Sequence, residues 1–399
     1  MLTLDEARAL LASQLQPLTP HTLPLRTARG RRLASAVRAR LNLPPADVSA
    51  MDGYAARAAE LAASAVQPVA FVVAAGELPR PLPGGAAARI FTGAVLPAGA
   101  DCVVIQEDAT VLEDGQVRLR PVPAGENVRR RAEVFAEGEI LADAGDALTP
   151  ARLALLAAAG VDEVEVVPRP RVALLVTGSE LANPGELPSA AQIRDSNGPL
   201  LAALAEEADV PLALERRCGD DEAALRSHLR ELAAAAEVVV TTGGVSVGEP
   251  DLVPAAVARL GGRTVFHKVA IQPGKPVLVA HLDGTWLIGL PGNPVSVLVG
   301  WRMFVLPLLA ALAGDDQAFA EQPRRAVAAA GVRNRGLRTL LRPALLRHGE
   351  GTLSVRVLDW KGSHDLKAAA PANALVRLNP HQQVAAGEVV LYYPLAGWL

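Results

Sequence analysis

Three short segments rich in glycine and hydroxyl groups stand in the middle of the chain: Thr177-Gly178-Ser179-Glu180, Thr241-Thr242-Gly243-Gly244-Val245-Ser246 and Gly289-Leu290-Pro291-Gly292-Asn293-Pro294. Glycines let the main chain turn and approach a ligand closely, while freed N–H groups and Thr or Ser hydroxyls donate to phosphate oxygens. This is phosphate chemistry without a Walker lysine. In the third segment Asn293 suits a helix N-cap and Pro294 the first helical position, which would point the amides of that helix start at an anion. Any one segment reads equally as a tight turn ending a strand; three at successive strand ends favour a site. Ser196-Asn197-Gly198-Pro199 reads as the cap of a following helix with a ligand contact added.

Carboxylates and lysines accompany these loops. Glu180 and Asp251 follow two of them, the latter in Gly248-Glu249-Pro250-Asp251, and oxygen ligands beside phosphates are how Mg²⁺ is usually held. Taken singly, each also reads as a surface carboxylate or a helix start. Asp220-Asp221 precedes a helix, so an N-cap accounts for one of the pair. Lys268 and Lys275 flank Val269-Ala270-Ile271-Gln272-Pro273-Gly274, whose Pro-Gly turn would present Lys275 at a strand end. A lysine there can neutralise an oxyanion, although a solvated lysine is the ordinary alternative. Arg129-Arg130-Arg131 is either a plain solvated face or a basic rim steering an anion. Met51-Asp52-Gly53-Tyr54, after Pro44-Pro45, looks like a turn carrying an exposed Asp, and its residues alone assign it no chemistry.

The elements that must position these groups follow from periodicity. From Arg171 the pattern alternates: strand over 172–176, helix over 199–208, strand over 211–216, helix over 222–236, strand over 238–241. That is a parallel α/β sheet with helices on its faces, and ligands gather at the carboxyl ends of its strands. A helix near 254–260, strands near 263–270, 277–281 and 286–290, and a long apolar helix after Pro294 continue it. The apolar stretch 295–314 contains Arg302 and Pro307, so it reads as a buried helix of a soluble domain rather than a membrane span. Thr3-Leu4-Asp5-Glu6 forms a capping box, and helical spacing through the first forty residues predicts a helical arm ending at Leu43-Pro44-Pro45. Short alternating runs over 66–140 predict a β-rich domain, 152–160 a helix, and strands such as 353–358 and 374–378 a small carboxyl-terminal β domain.

Bulk composition bounds the rest. A chain of 399 residues exceeds one ordinary core, so two to four domains are expected. The balance of 39 Lys+Arg against 42 Asp+Glu, net −3, argues against a protein built to coat nucleic acid or anionic membrane. Two isolated cysteines, Cys102 and Cys218, suit a reducing compartment and supply no thiolate metal site. With no signal-peptide pattern at the amino terminus, a cytoplasmic location is expected.

In order and approximate spacing these segments resemble the molybdopterin molybdenumtransferase family, which also includes the carboxyl-terminal domain of gephyrin. The most specific pieces are Ser49-Ala50-Met51-Asp52-Gly53-Tyr54-Ala55, Thr92-Gly93 with Leu96-Pro97 and Gly99-Ala100-Asp101, Gly125-Glu126-Asn127-Val128-Arg129-Arg130-Arg131, residues 241–251, Pro273-Gly274-Lys275-Pro276 and residues 289–296. The resemblance implies a multidomain α/β plus β chain. Its parts are a helical, linking domain (1–42 with 140–168), a β-rich insertion (43–139), a central α/β molybdopterin-binding domain with a largely parallel sheet (169–321) and a small β-barrel-like domain (322–399). It implies a homodimer with a shared active site, in which adenylylated molybdopterin exchanges AMP for molybdate with Mg²⁺. Asp52 of the partner subunit, Glu180, Asp220, Asp251, Lys268 and Lys275 would be catalytic, with Glu180 and Asp251 on the metal. Substrate would be bound by Thr92, Gly93 and Arg130, by Thr177, Gly178, Ser196 and Asn197, by Thr242, Gly243, Gly244, Ser246 and Gly248, and by Pro276, Pro291, Gly292, Asn293, Pro294 and Ser296. A pterin adenylyltransferase and acceptor molybdoenzymes are the implied protein partners. The chain departs from the family at Gln272, at Ala132-Glu133-Val134 and at Lys367-Ala368, where an oxyanion pocket would lie; Gln272 donates hydrogen bonds but supplies no charge. Two rival readings are the related adenylyltransferase, which would need neither the arm nor the insertion, and a noncatalytic pterin-binding scaffold.

Overall fold

The computed structural model describes residues 1–182, 184–244, 252–349 and 351–395. They form two compact units, one of Met1–Pro20 with Val167–Leu399 and one of His21–Val166.

The first unit is built on a six-stranded sheet in the order Leu212–Cys218, Val172–Thr177, Val238–Thr242, Thr285–Leu290, Leu278–Leu282, Arg263–His267. The first four strands run parallel, while Leu278–Leu282 runs against them and pairs antiparallel with both its neighbours, so the sheet is mixed at one side. Helices cover both faces, which is why its inner strands are almost continuously apolar. Leu174, Val240 and Ile288 face one core with the helix Leu4–Ala12 and the long helix from Pro294. Their neighbours Ala173, Leu175, Val239 and Leu287 face the other, against the helices Glu222–Ala235 and Leu252–Arg259. Beyond the sheet a five-stranded barrel closes in the order Thr339–Gly349, Thr352–Val357, Arg324–Ala328, Val389–Pro394, Ala374–Leu378 and back to Thr339–Gly349. The strand Ile271–Gln272 joins that barrel edge in parallel, so the segment between the two lysines is anchored on it.

The apolar helix Pro294–Leu312 has 78% of its span buried, so it is a core helix. Its middle, Trp301–Val305, widens to a π-turn. Pro307 has no N–H to give the Met303 carbonyl one turn back, and that acceptor is taken instead by Arg8 Nη1 at 2.8 Å. Arg302, 2% exposed, donates Nε to the Pro394 carbonyl (2.8 Å) and Nη2 to both oxygens of Glu321 (2.9 Å each), pinning the helix to the barrel.

The second unit is made of short strands. Its largest sheet runs Cys102–Ile105, Gly53–Ala56, Ala87–Ile90, Val66–Val73, Gln116–Leu119, Ala109–Val111. The predicted helical arm needs correction. The capping box at Thr3 and Glu6 holds, but the helix ends at Ala12, and residues that read as helical include the strands His21–Pro24, Arg32–Leu33 and Val37–Arg38. His21–Pro24 pairs with Glu163–Val167, about 140 residues away in sequence, a pairing that local periodicity does not reveal.

Both cysteines are buried. Burial, reinforced by Asp101, pushes the Cys102 thiol up to about 12, and burial likewise raises Cys218. Both therefore stay protonated at pH 8, and neither should be labelled by Ellman's reagent until the chain unfolds. Labelling of the folded protein at the rate of a free thiol would contradict this packing.

Candidate functional site

The three glycine-rich segments leave neighbouring parallel strands in register, with Val176 beside Thr242 and Thr242 beside Leu290. They therefore emerge together at one edge of the sheet, and buried side chains join them. Thr177 Oγ1 donates to the Thr242 carbonyl at 3.2 Å, and Thr242 Oγ1 donates to the Pro291 carbonyl at 3.3 Å. Asn197, at the start of the helix Asn197–Glu207, donates Nδ2 to Thr242 Oγ1 at 2.9 Å and to the Gly292 carbonyl at 2.7 Å. The Gly243 N–H reaches the Leu290 carbonyl at 3.1 Å. Gly243 has φ +87°, and an added Cβ would lie 2.3 Å from the Thr177 carbonyl oxygen, so no larger residue fits.

The carboxylates sort themselves at the neighbouring strand ends. Glu180 folds back over Gly178, where a Cβ would come within 2.5 Å of Glu180 Oε2. Asp221 caps the helix Glu222–Ala235 through the Ala224 N–H, which leaves Asp220 for another task. Asp220 accepts from the Ser179 N–H (3.3 Å), and Ser179 Oγ accepts from the Asp220 N–H (3.1 Å). Glu180 and Asp220 thus sit on loops tied to each other, both exposed. Asp251, Ser246 and Gly248 lie outside the described residues. Among the described residues no three His, Cys, Asp or Glu side chains converge as a metal cage.

Lys268 and Lys275 are half-buried at the two ends of one loop, closed by the Lys268 N–H on the Val277 carbonyl (3.0 Å) and the Val269 N–H on the Lys275 carbonyl (2.9 Å). Gly274 lies against Ile271 and near the Ser296 carbonyl, so this loop, including Pro276, neighbours the start of the helix Pro294–Gly300. That helix start differs from expectation. Asn293 occupies the N-cap position without a side-chain cap, and the Val295 N–H is already taken by the Ser363 carbonyl at 3.0 Å. Ser196 likewise makes no cap bond. Asp195 does that work, accepting from the amides of Asn197 (2.9 Å) and Gly198 (3.0 Å), because a carboxylate one residue earlier reaches both N–H groups.

Asp52, Thr92, Gly93 and Arg130 belong to the second unit. Asp52 Oδ1 accepts from both the N–H and the Oγ–H of Thr92, each at 2.7 Å, and these bonds hold its carboxyl below the usual range. Replacing Thr92 by Val removes the hydroxyl donor and should move the Asp52 titration upward, as followed by carboxyl NMR; an unmoved titration would discard this cause. Arg130 pairs with Asp47 at 2.7 Å, so part of the arginine run is neutralised locally.

Comparison with known families agrees along the chain. Residues 173–311 match the probable molybdopterin binding domain, which sets the class of the α/β domain. Residues 2–160 match the MoeA N-terminal region (domain I and II), and 325–395 the MoeA C-terminal region (domain IV). The chain is 35% identical to a molybdopterin molybdenumtransferase of Haemophilus influenzae, over 99% of this chain and 98% of that one. It is 36% identical to molybdopterin molybdenumtransferase 2 of Mycobacterium tuberculosis, over 97% and 98%. A crystal structure of a molybdopterin biosynthesis MoeA protein from Pyrococcus horikosii superposes with a TM-score of 0.85 at 28% identity, covering 100% of both chains. The chain belongs to the molybdopterin molybdenumtransferase family, a family of transferases.

Proposed function

We propose that the chain inserts molybdate into adenylylated molybdopterin with release of AMP, giving the molybdenum cofactor. The observation that carries this is the buried network of Thr177, Thr242, Asn197 and Gly292, which sets three glycine-rich strand ends on one face where backbone amides can meet phosphate oxygens. The chain supplies few soft ligands, and none is needed: molybdate is substrate, and the dithiolene brings the sulfurs that molybdenum requires.

Mg²⁺ suits the donor set, because Glu180 and Asp220 offer only hard oxygens and, among the described residues, no protein cage closes around them. Glu180, with Asp251, would hold the ion, which supplies charge neutralisation at the pyrophosphate. Lys268 and Lys275 would neutralise the incoming oxyanion and the departing adenylate, with Gln272 contributing hydrogen bonds and no charge. The remaining residues orient: Thr242, bonded to Pro291, would hold the turn of Gly243 and Gly244 beside the phosphates, and Pro276, Pro291, Pro294 and Ser296 would shape the wall beside the lysine loop. In this reading the chain is a cytoplasmic homodimer, and Asp52 with Thr92 of a second copy completes the site. A pterin adenylyltransferase supplies the substrate, and molybdoenzymes receive the product.

Expression in cells lacking their own molybdenumtransferase tests this reading. Restored molybdoenzyme activity is expected. Failure to restore it, with the protein folded and abundant, would favour a pterin-binding scaffold.

A further inference from the structure

The amide of Asn197 is oriented without ambiguity. The atom 2.7 Å from the Gly292 carbonyl must be a donor, so it is Nδ2, and Oδ1 is the other end of the same planar group. Nδ2 is fully engaged, giving one hydrogen to Gly292 and one to Thr242 Oγ1. Among the described residues Oδ1 accepts from no donor, although the residue is only 8% exposed. A buried amide oxygen without a donor is costly, and buried polar groups in native proteins are nearly always paired. Oδ1 lies where the loops of Thr242 and Gly292 meet the start of the helix Asn197–Glu207. An amide oxygen only accepts, so it does not serve a phosphate; it selects a ligand N–H.

We infer that Asn197 is the specificity residue of this site, its Oδ1 accepting a hydrogen bond from an N–H edge of the substrate's heterocycle while Nδ2 holds the loops in place. This rests on the function proposed above, whose substrate carries two such heterocycles, a pterin and an adenine.

The test is a binding cycle between residue and ligand, measured by calorimetry on the full-length protein. Wild type and Asn197→Ala are titrated with molybdopterin, with its N3-methyl derivative, with AMP and with purine riboside monophosphate, which lacks the 6-amino group. Any loosening of the loops by Asn197→Ala weakens both members of a pair alike and cancels in the cycle. We expect Asn197→Ala to weaken one N–H-bearing ligand about tenfold, one hydrogen bond's worth, and to leave its N–H-deficient counterpart within about twofold. The pair that shows the difference identifies the heterocycle read. Equal weakening of both members in both pairs, or no weakening at all, would overturn the inference and leave Asn197 a structural latch or a bystander. If the wild type binds neither molybdopterin nor AMP, the function proposed above fails, and this inference falls with it.

Discussion

Gly243→Ala should lower kcat/KM for the transferase reaction by about a hundredfold, the scale on which displacements near 1 Å act in a preorganised site. The new methyl would stand 2.3 Å from the Thr177 carbonyl oxygen and 2.6 Å from Thr177 Oγ1, at a φ of +87° that side chains rarely adopt. The first neighbour is backbone, so no rotamer change relieves the clash and the loop must move. Moving it strains the Gly243 N–H bond to Leu290 and the Thr177 bond to Thr242, which set the three strand ends together. Steady-state kinetics with circular dichroism as a folding control would check this. An Ala variant within about threefold of wild type would mean that this junction does not position substrate.

The second large effect concerns stability. Arg302→Leu should destabilise the first unit by about 3–5 kcal/mol, the usual penalty for removing one partner of a buried ion pair. Arg302 is 2% exposed, and burial pulls its guanidinium down to about 10, so it remains a cation at neutral pH that needs Glu321. Leucine would leave the Glu321 carboxylate unpaired and the Pro394 carbonyl without its donor. The double variant Arg302→Leu with Glu321→Leu should recover part of the loss, since no lone charge then remains. Urea titration measures both. A single variant within about 1 kcal/mol of wild type would show that the pair is not a structural anchor.

The α/β unit was legible in the sequence because its signals are local. The alternation from residue 172 to the helix at Pro294 survives in the structure, as does the cap at Thr3, which needs only neighbouring residues to read. Strand direction was less legible: Leu278–Leu282 runs antiparallel to both its neighbours, which periodicity cannot distinguish. The first forty residues misled because Ala, Leu and Arg carry helical propensity, while their strands are fixed by partners such as Glu163–Val167 far along the chain.

The candidate site was legible by type and not by connection. Glycines and hydroxyls at three strand ends pointed to one face, yet nothing in their spacing shows that Asn197 bridges Thr242 and Gly292, or that Asp195 rather than Ser196 caps the helix. Asp220 and Asp221 were indistinguishable as a pair. Their division of labour follows from which carboxylate reaches the Ala224 amide and which faces Ser179. Asp52 is given a role only by the family resemblance, and its bond to Thr92, forty positions away, is not legible from spacing.

The most direct measurement is AMP release from adenylylated molybdopterin by the purified chain with Mg²⁺, with and without molybdate, with tungstate as a second oxyanion. Molybdate-dependent release that is abolished in Asp251→Ala and strongly reduced in Lys275→Ala is expected of a molybdenumtransferase. Tight binding of the adenylylated pterin with no release under any of these conditions would contradict it and leave a noncatalytic pterin-binding protein.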